Sequence, residues 1–164
     1  MNITPELNIS LGVCGAVFAL VASAFGSALG MGVCAMAAIG AWKRNYVQGK
    51  AASFTLVAFV GMSFSQTIYG MILMFAMLNK AAAGAPWQVL CTIGVIAGII
   101  IGLSAWLQGK ASAVGADAVG ETGKGFVNAL VAIGVIETTA IFVMVLSITA
   151  LGYIPVPEVA LPQP

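Results

Sequence analysis

The stretch GFVNALVAIGVIETTAIFVMVLSITALG, residues 125–152, decides the fold of this chain. It holds no basic residue and a single acid, Glu137. A helix of about 28 residues is roughly 42 Å long, which exceeds the hydrocarbon core of a bilayer. The stretch therefore predicts a membrane-spanning helix with one carboxyl group near its middle.

The composition of the whole chain agrees with a membrane protein. Of its 164 residues, 61% are hydrophobic and 7% are charged, and the mean hydropathy is +1.09. Soluble domains carry about 25% charged residues, so this chain could not solvate a soluble surface. The net charge of only +1 also argues against a nucleic-acid partner.

Three further apolar segments, at about 11–41, 51–78 and 87–116, have the length and hydropathy of spanning helices. They lack the alternation of apolar and polar residues that marks the strands of a membrane barrel. Short connections make consecutive helices antiparallel neighbours. The predicted fold class is an all-α membrane protein with four transmembrane helices.

The four helices divide into two similar hairpins, residues 1–80 and 81–164. Residues 15–41 align with 94–120, and residues 56–58 align with 130–132. Parallel repeats of this kind are common in membrane proteins. Because the intramembrane acid belongs to the second hairpin, the first is predicted to have lost its ion-binding position.

Small residues recur every four positions on two of the helices. They are Ala22, Gly26, Gly30, Cys34 and Ala38 on the first helix and Gly94, Gly98 and Gly102 on the third. Such faces let helix backbones approach closely in lipid. We expect them to pack copy against copy, with packing inside one chain as the alternative. Bulky phenylalanine and methionine side chains on the second and fourth helices then make a wedge, and wedges favour a ring.

Basic residues indicate the orientation of the chain. Lys43, Arg44 and Lys50 cluster in the first loop, and the positive-inside rule places such a loop in the cytoplasm. Loops 42–50 and 117–124 are therefore predicted to be cytoplasmic. Both termini, with Glu158 close to one of them, are predicted to lie outside.

Glu137 is the strongest candidate for a functional residue. Desolvation strongly opposes the ionisation of an isolated carboxyl group in hydrocarbon, and intramembrane acids are usually functional. With no His and 3 Cys, the chain lacks the parts of the usual zinc and triad chemistries. Because an unpaired charge is so costly in hydrocarbon, Glu137 must be protonated or hold a cation.

Uncharged oxygen donors accompany this acid. One face of the second helix carries Met62, Ser65, Gln66 and Tyr69, and the third helix carries Gln108. Together with Glu137 they form a set of oxygen donors that suits a hard cation. The set consists of the side-chain oxygens of Ser65, Gln66 and Gln108, the Met62 main-chain carbonyl and the Glu137 carboxyl group. Since one carboxylate balances one positive charge, Na⁺ is preferred over a divalent ion.

These residues resemble those of a known family. Ser65-Gln66-Thr67-Ile68-Tyr69-Gly70, Gln108-Gly109-Lys110 and Glu137 are similar to the proteolipid (c/K) ring subunit of V-type rotary ATPases. The resemblance covers essentially the whole chain and is greatest to the bacterial sodium-transporting form. It implies that Glu137, Gln66, Gln108, Ser65 and the Met62 carbonyl bind Na⁺, and that Tyr69 closes the site. Ser65 stands where the family often has threonine, and Met62 where it often has leucine.

The resemblance implies a non-catalytic rotor subunit in a prokaryotic cell membrane. It would carry Na⁺ across the membrane, coupled to ATP hydrolysis or synthesis, without an organic cofactor. The implied partners are further copies of the chain in a ring, a membrane stator subunit with an arginine, a central-stalk subunit at the cytoplasmic loops, and the lipid bilayer.

Two alternative functions stay open at this point. The same rotor protein could carry H⁺, with Gln66 and Gln108 hydrogen-bonding a protonated Glu137. A small four-helix multidrug antiporter also places one glutamate in an apolar bundle, but that class needs the acid to face a roomy aromatic cavity.

Overall fold

The computed structural model describes residues 4–157, which contain helices and no strand. In chain order they are α1 (Pro5–Val47), α2 (Leu56–Gly61), a 3₁₀ helix (Met62–Phe64), α3 (Ser65–Ala82), α4 (Trp87–Thr122) and α5 (Phe126–Gly152). Glu158 and both chain termini, which were predicted to lie outside the membrane, fall beyond the described residues.

Four helical segments are long and apolar enough to cross a membrane. They are α1, the continuous segment Leu56–Ala82 that joins α2 to α3, then α4 and α5. The chain is therefore an all-α multi-pass membrane protein, as the apolar segments predict.

The helices extend further than those apolar segments. α1 continues to Val47 and α4 to Thr122, so most of the predicted loops 42–50 and 117–124 is helical. Hydropathy marks the part of a helix that suits lipid, whereas backbone hydrogen bonding continues the helix into water. The predicted limits of these two loops are therefore wrong.

An ion pair joins the two polar helix ends. Arg44 on α1 contacts Asp117 on α4 at 2.7 Å and Glu121 at 3.7 Å. Because exposed pairs of this kind contribute at most about 1 kcal/mol, they orient the ends of α1 and α4 more than they stabilise the fold. α4 ends at Thr122 and is followed by Gly123, whose φ of 70° suits glycine.

The opposite end of the bundle is joined through Asn8 on α1. Its Nδ2 donates to the Ala85 carbonyl at 3.0 Å, and its Oδ1 accepts the Trp87 backbone N–H at 3.2 Å. The side chain thus bonds to the connection between α3 and α4 on both sides of Pro86. Since α3 ends at Ala82, this connection lies slightly beyond the predicted hairpin boundary at residues 80 and 81.

α1 and α4 are in direct backbone contact at the centre of the bundle. Gly26 lies against Gly102, Gly30 against Gly109, Gly94 against Gly15, and Gly98 against Ala19. At the first three pairs, a Cβ atom would overlap the facing main chain. These contacts are what small residues permit between helices in lipid.

The predicted packing glycines Gly26, Gly30, Gly94, Gly98 and Gly102 therefore pack inside one chain. The expectation that their faces pack copy against copy is wrong. The four-residue spacing indicates close helix contact, but spacing alone does not say which chain supplies the partner helix, and here α4 of the same chain supplies it.

The predicted segregation of bulky side chains is also only partly correct. Phe54 before α2 is 83% exposed and Phe142 on α5 is 64% exposed. Phe59 on α2 is fully buried, however, edge-on to Phe126 with a centroid distance of 5.2 Å. α1 in turn exposes Phe25 by 66%, so bulky side chains are found on both sides of the bundle.

Replacing Gly26 by leucine is expected to destabilise the folded chain itself, because the new side chain would need the space of the Gly102 main chain. Overpacking of a close-packed core costs about 1–3 kcal/mol. The measurement is thermal unfolding of the detergent-solubilised protein. Gly32→Leu is the matched control in α1, since a Cβ on Gly32 meets nothing within 4 Å. Equal melting temperatures of the two variants would contradict the contact.

Candidate functional site

The helix that carries most of the predicted donors is interrupted next to them. Between α2 and α3, residues Met62–Phe64 form a 3₁₀ helix. Ser65 follows at once, and its hydroxyl donates to the Met62 carbonyl at 3.3 Å. The tighter turn changes the bonding of the local carbonyls, so the Met62 carbonyl and the Ser65 hydroxyl lie together as predicted.

Glu137 lies on α5 and faces α3 across the bundle. The Tyr69 hydroxyl donates to Glu137 Oε1 at 2.6 Å. Charge-assisted O–H···O bonds have this length. The contact predicted between Tyr69 and Glu137 is therefore present, and it joins the two helices at the level of the acid.

Two fully buried amides connect α3, α4 and α5. Gln66 Nε2 donates to Gln108 Oε1 at 2.5 Å. Gln108 Nε2 lies 3.4 Å from Glu137 Oε2 and 3.4 Å from the Ile133 carbonyl. Since buried amides are costly unless bonded, the two glutamines fix each other's position beside the carboxyl group.

The structure thus brings together all the residues predicted to form the site. Oxygen atoms come from Met62, Ser65, Gln66, Gln108 and Glu137, with Tyr69 bonded to the carboxyl group. The Ser65 hydroxyl lies 3.3 Å from Gln66 Oε1, which links the two neighbouring donors. α3, α4 and α5 each contribute, so the site exists only when these helices are packed.

The donor set suits a small hard cation. It contains one carboxyl group and several neutral oxygens, which replace a hydration shell without adding charge. Within residues 4–157, no group of three or more His, Cys, Asp or Glu side chains forms a metal cluster. Such oxygen donors fit a monovalent cation or a proton better than a transition metal.

The carboxyl group also lies at the edge of the bundle. Glu137 is half-buried, and on the same helix Val135 is 66% and Phe142 64% exposed. α5 therefore packs on one side only. A partner that approached this outer face would come close to the carboxyl group.

Two hydroxyl groups beside the site bond to main-chain carbonyls of α5. The Thr138 hydroxyl donates to the Val135 carbonyl of its own helix at 2.8 Å, which is usual for threonine in a span. Ser104 was not predicted, and its hydroxyl donates to the Ile136 carbonyl on α5 at 3.1 Å. Its place one turn before Gln108, on the same face of α4, is the signal that could have found it.

Fold and site together define a multi-pass membrane protein whose second hairpin carries an intramembrane carboxyl group among amide and hydroxyl donors. Residues 91–150 match the family of the ATP synthase C subunit. The matched segment includes Gln108 and Glu137 and covers most of α4 and α5. No curated protein matches the chain.

Over this segment the chain is similar to the proteolipid subunit of ATP synthases. Members of that family are non-catalytic, ion-translocating parts of a membrane rotor, and they form a homo-oligomeric ring beside a stator subunit. The exposed outer face of α5 next to Glu137 suits that arrangement.

Proposed function

We propose that this chain is the proteolipid ring subunit of a V-type rotary ATPase, and that it binds Na⁺ at Glu137 and carries it across a membrane. The V-type assignment is supported by the four spanning helices and by the residues that resemble that family along the whole chain. Transport is coupled to ATP hydrolysis or synthesis in other subunits, in a prokaryotic cell membrane.

The observation that carries the proposal is the pair of amides beside Glu137, in which Gln66 bonds to Gln108 and Gln108 bonds to the carboxyl group. Gln66 and Gln108 are fully buried, and both are hydrogen-bonded, as buried amides need to be. A proton needs one carboxyl group and an apolar pocket. The extra oxygens from Ser65 and Met62 support a metal ion whose water shell must be replaced.

The proposed cycle follows from the position of Glu137. When Na⁺ is bound, the carboxylate is neutralised and passes the lipid at low cost. At the stator, an arginine pairs with the carboxylate from the exposed face of α5 and the ion leaves. While the carboxylate is charged, the Tyr69 hydroxyl stabilises it by donating a hydrogen bond.

Several ions must cross the membrane for each ATP that is hydrolysed or made. One ion that crosses about 100 mV exchanges about 2.3 kcal/mol, which is far below the free energy of ATP hydrolysis. Within the described spans Glu137 is the one acid away from a helix end, because Glu6, Asp117 and Glu121 lie close to the ends of α1 and α4. Each copy therefore carries one ion, and many copies act in turn.

The proposed orientation puts the connections after α1 and α4 in the cytoplasm. Lys43, Arg44 and Lys50 surround the first of them. A central-stalk subunit would dock on these connections, where the pair of Arg44 and Asp117 joins α1 to α4.

The multidrug antiporter is disfavoured by the position of a large apolar groove in the described part of the chain. This groove has a volume of about 500 Å³ and lies between α1 and α4, where Phe18, Phe25 and Trp106 line it. Glu137 is not among its lining residues. An antiporter needs its acid inside such a cavity.

Carbodiimide labelling of Glu137 in the purified ring tests the proposed ion. At a fixed pH, added Na⁺ is expected to protect Glu137 from modification, because the reagent needs the protonated carboxyl group and bound Na⁺ excludes the proton. Choline at the same ionic strength is the control and should not protect. Labelling that is indifferent to Na⁺ would favour the H⁺ alternative.

A further inference from the structure

Ser104 is a buried polar residue on α4 that the proposed ion site does not use. It is 5% exposed, and its hydroxyl donates to the main-chain carbonyl of Ile136 at 3.1 Å. Ile136 directly precedes Glu137 on α5. The bond therefore joins α4 to the backbone that carries the carboxyl group.

This bonding differs from that of other hydroxyls in the spans. Serine and threonine in such helices usually donate to a carbonyl one turn earlier in their own helix. Seven hydroxyls of the described helices do so, those of Ser10, Ser23, Ser65, Thr92, Thr122, Thr138 and Thr149. Ser104 instead donates to a different helix, so its hydrogen bond links α4 to α5.

Gln108 provides a second contact of the same kind one turn along α4. Its Nε2 lies 3.4 Å from the Ile133 carbonyl on α5. Residues 104 and 108 share a face of α4, and residues 133 and 136 share a face of α5. Two polar contacts one turn apart restrict both the sliding and the rotation of α5 against α4.

We infer that Ser104 is a positioning residue for Glu137. Its hydroxyl holds the α5 backbone against α4, so that the carboxyl group points at Gln108 and at the Tyr69 hydroxyl. Without this bond, α5 is free to rotate at the turn of Glu137, and the donors no longer meet. The inference rests on the proposed function of Glu137 as the cation-binding residue.

Ser104→Ala in the purified ring tests this inference, with Ser112→Ala as the matched control. Ser112 lies on the same helix and is fully buried, but its hydroxyl has no hydrogen-bond partner among the described residues. The first readout is the Na⁺ concentration that half-protects Glu137 from a carbodiimide. The second is the rate of labelling at one fixed pH without Na⁺.

Ser104→Ala is expected to raise the half-protecting Na⁺ concentration by about threefold to tenfold, which corresponds to one hydrogen bond between membrane helices. The Na⁺-free labelling rate should change by a similar factor, because the carboxyl group is no longer held in place. Both variants should still form rings by native mass spectrometry, and Ser112→Ala should keep both wild-type values.

The two readouts separate this inference from the proposed function. If Na⁺ fails to protect even the wild type, the Na⁺ proposal fails, and a changed labelling rate in Ser104→Ala alone still supports the positioning role. If Ser104→Ala equals Ser112→Ala in both readouts, Ser104 does not position Glu137. Loss of the ring in Ser104→Ala alone would also overturn the inference, because the role would then be structural.

Discussion

Rings with Glu137 replaced by glutamine are expected to transport no Na⁺ while still assembling. The substitution keeps the shape of the side chain and removes the negative charge that balances the ion. An uncompensated buried charge costs about 3–5 kcal/mol, so Na⁺ affinity should fall by a hundredfold or more by that estimate. The measurement is ²²Na⁺ uptake into liposomes that contain the assembled ATPase.

Assembly should persist because glutamine keeps a hydrogen-bond acceptor for the Tyr69 hydroxyl, which bonds Glu137 Oε1 at 2.6 Å. Glu6→Gln is the control, since it removes the same charge from an exposed position in the first turn of α1. Its uptake should equal the wild-type value. Uptake that survives in the Glu137 variant would show that the carboxylate does not carry the ion.

Gln66→Leu is expected to have the second largest effect. Leucine has a similar volume but removes one oxygen from the site and leaves the Gln108 amide without its partner at 2.5 Å. An unsatisfied buried polar group costs about 1–3 kcal/mol. The Na⁺ concentration that half-protects Glu137 from a carbodiimide should therefore rise by roughly tenfold to a hundredfold.

The control for this variant is Gln88→Leu, which removes an exposed amide from the first turn of α4. It should leave Na⁺ protection unchanged. In Gln66→Leu, Glu137 should still react with the carbodiimide, because the acid itself is untouched. Unchanged Na⁺ protection in Gln66→Leu would mean that the amide pair serves only to bond a protonated acid, which is the H⁺ alternative.

Much of the site could be predicted because helical periodicity is regular. With 3.6 residues per turn, Met62, Ser65, Gln66 and Tyr69 fall on one face wherever the helix lies. Glu137 stood out because a charged group in an apolar span is costly.

Other features depend on which helices meet, and periodicity does not contain that information. The sequence places Ser104 on the same face of α4 as Gln108, but only the structure shows that its hydroxyl donates to the Ile136 carbonyl on α5. The glycine faces predicted a close helix contact but not its partner, and Gly26 meets Gly102 within the same chain.

The amino-acid sequence by itself determined that the chain lies in lipid, how many helices span the membrane, and that Glu137 is the intramembrane acid. These follow from local hydropathy and from the cost of burying charge, which each segment carries alone. The tertiary structure decided that Gln108 and Tyr69 meet at Glu137, that Gln66 bonds to Gln108, and that the Ser104 hydroxyl donates to the Ile136 carbonyl. Such contacts join α3, α4 and α5, and their geometry is set by the close packing of whole helices, which no single segment determines.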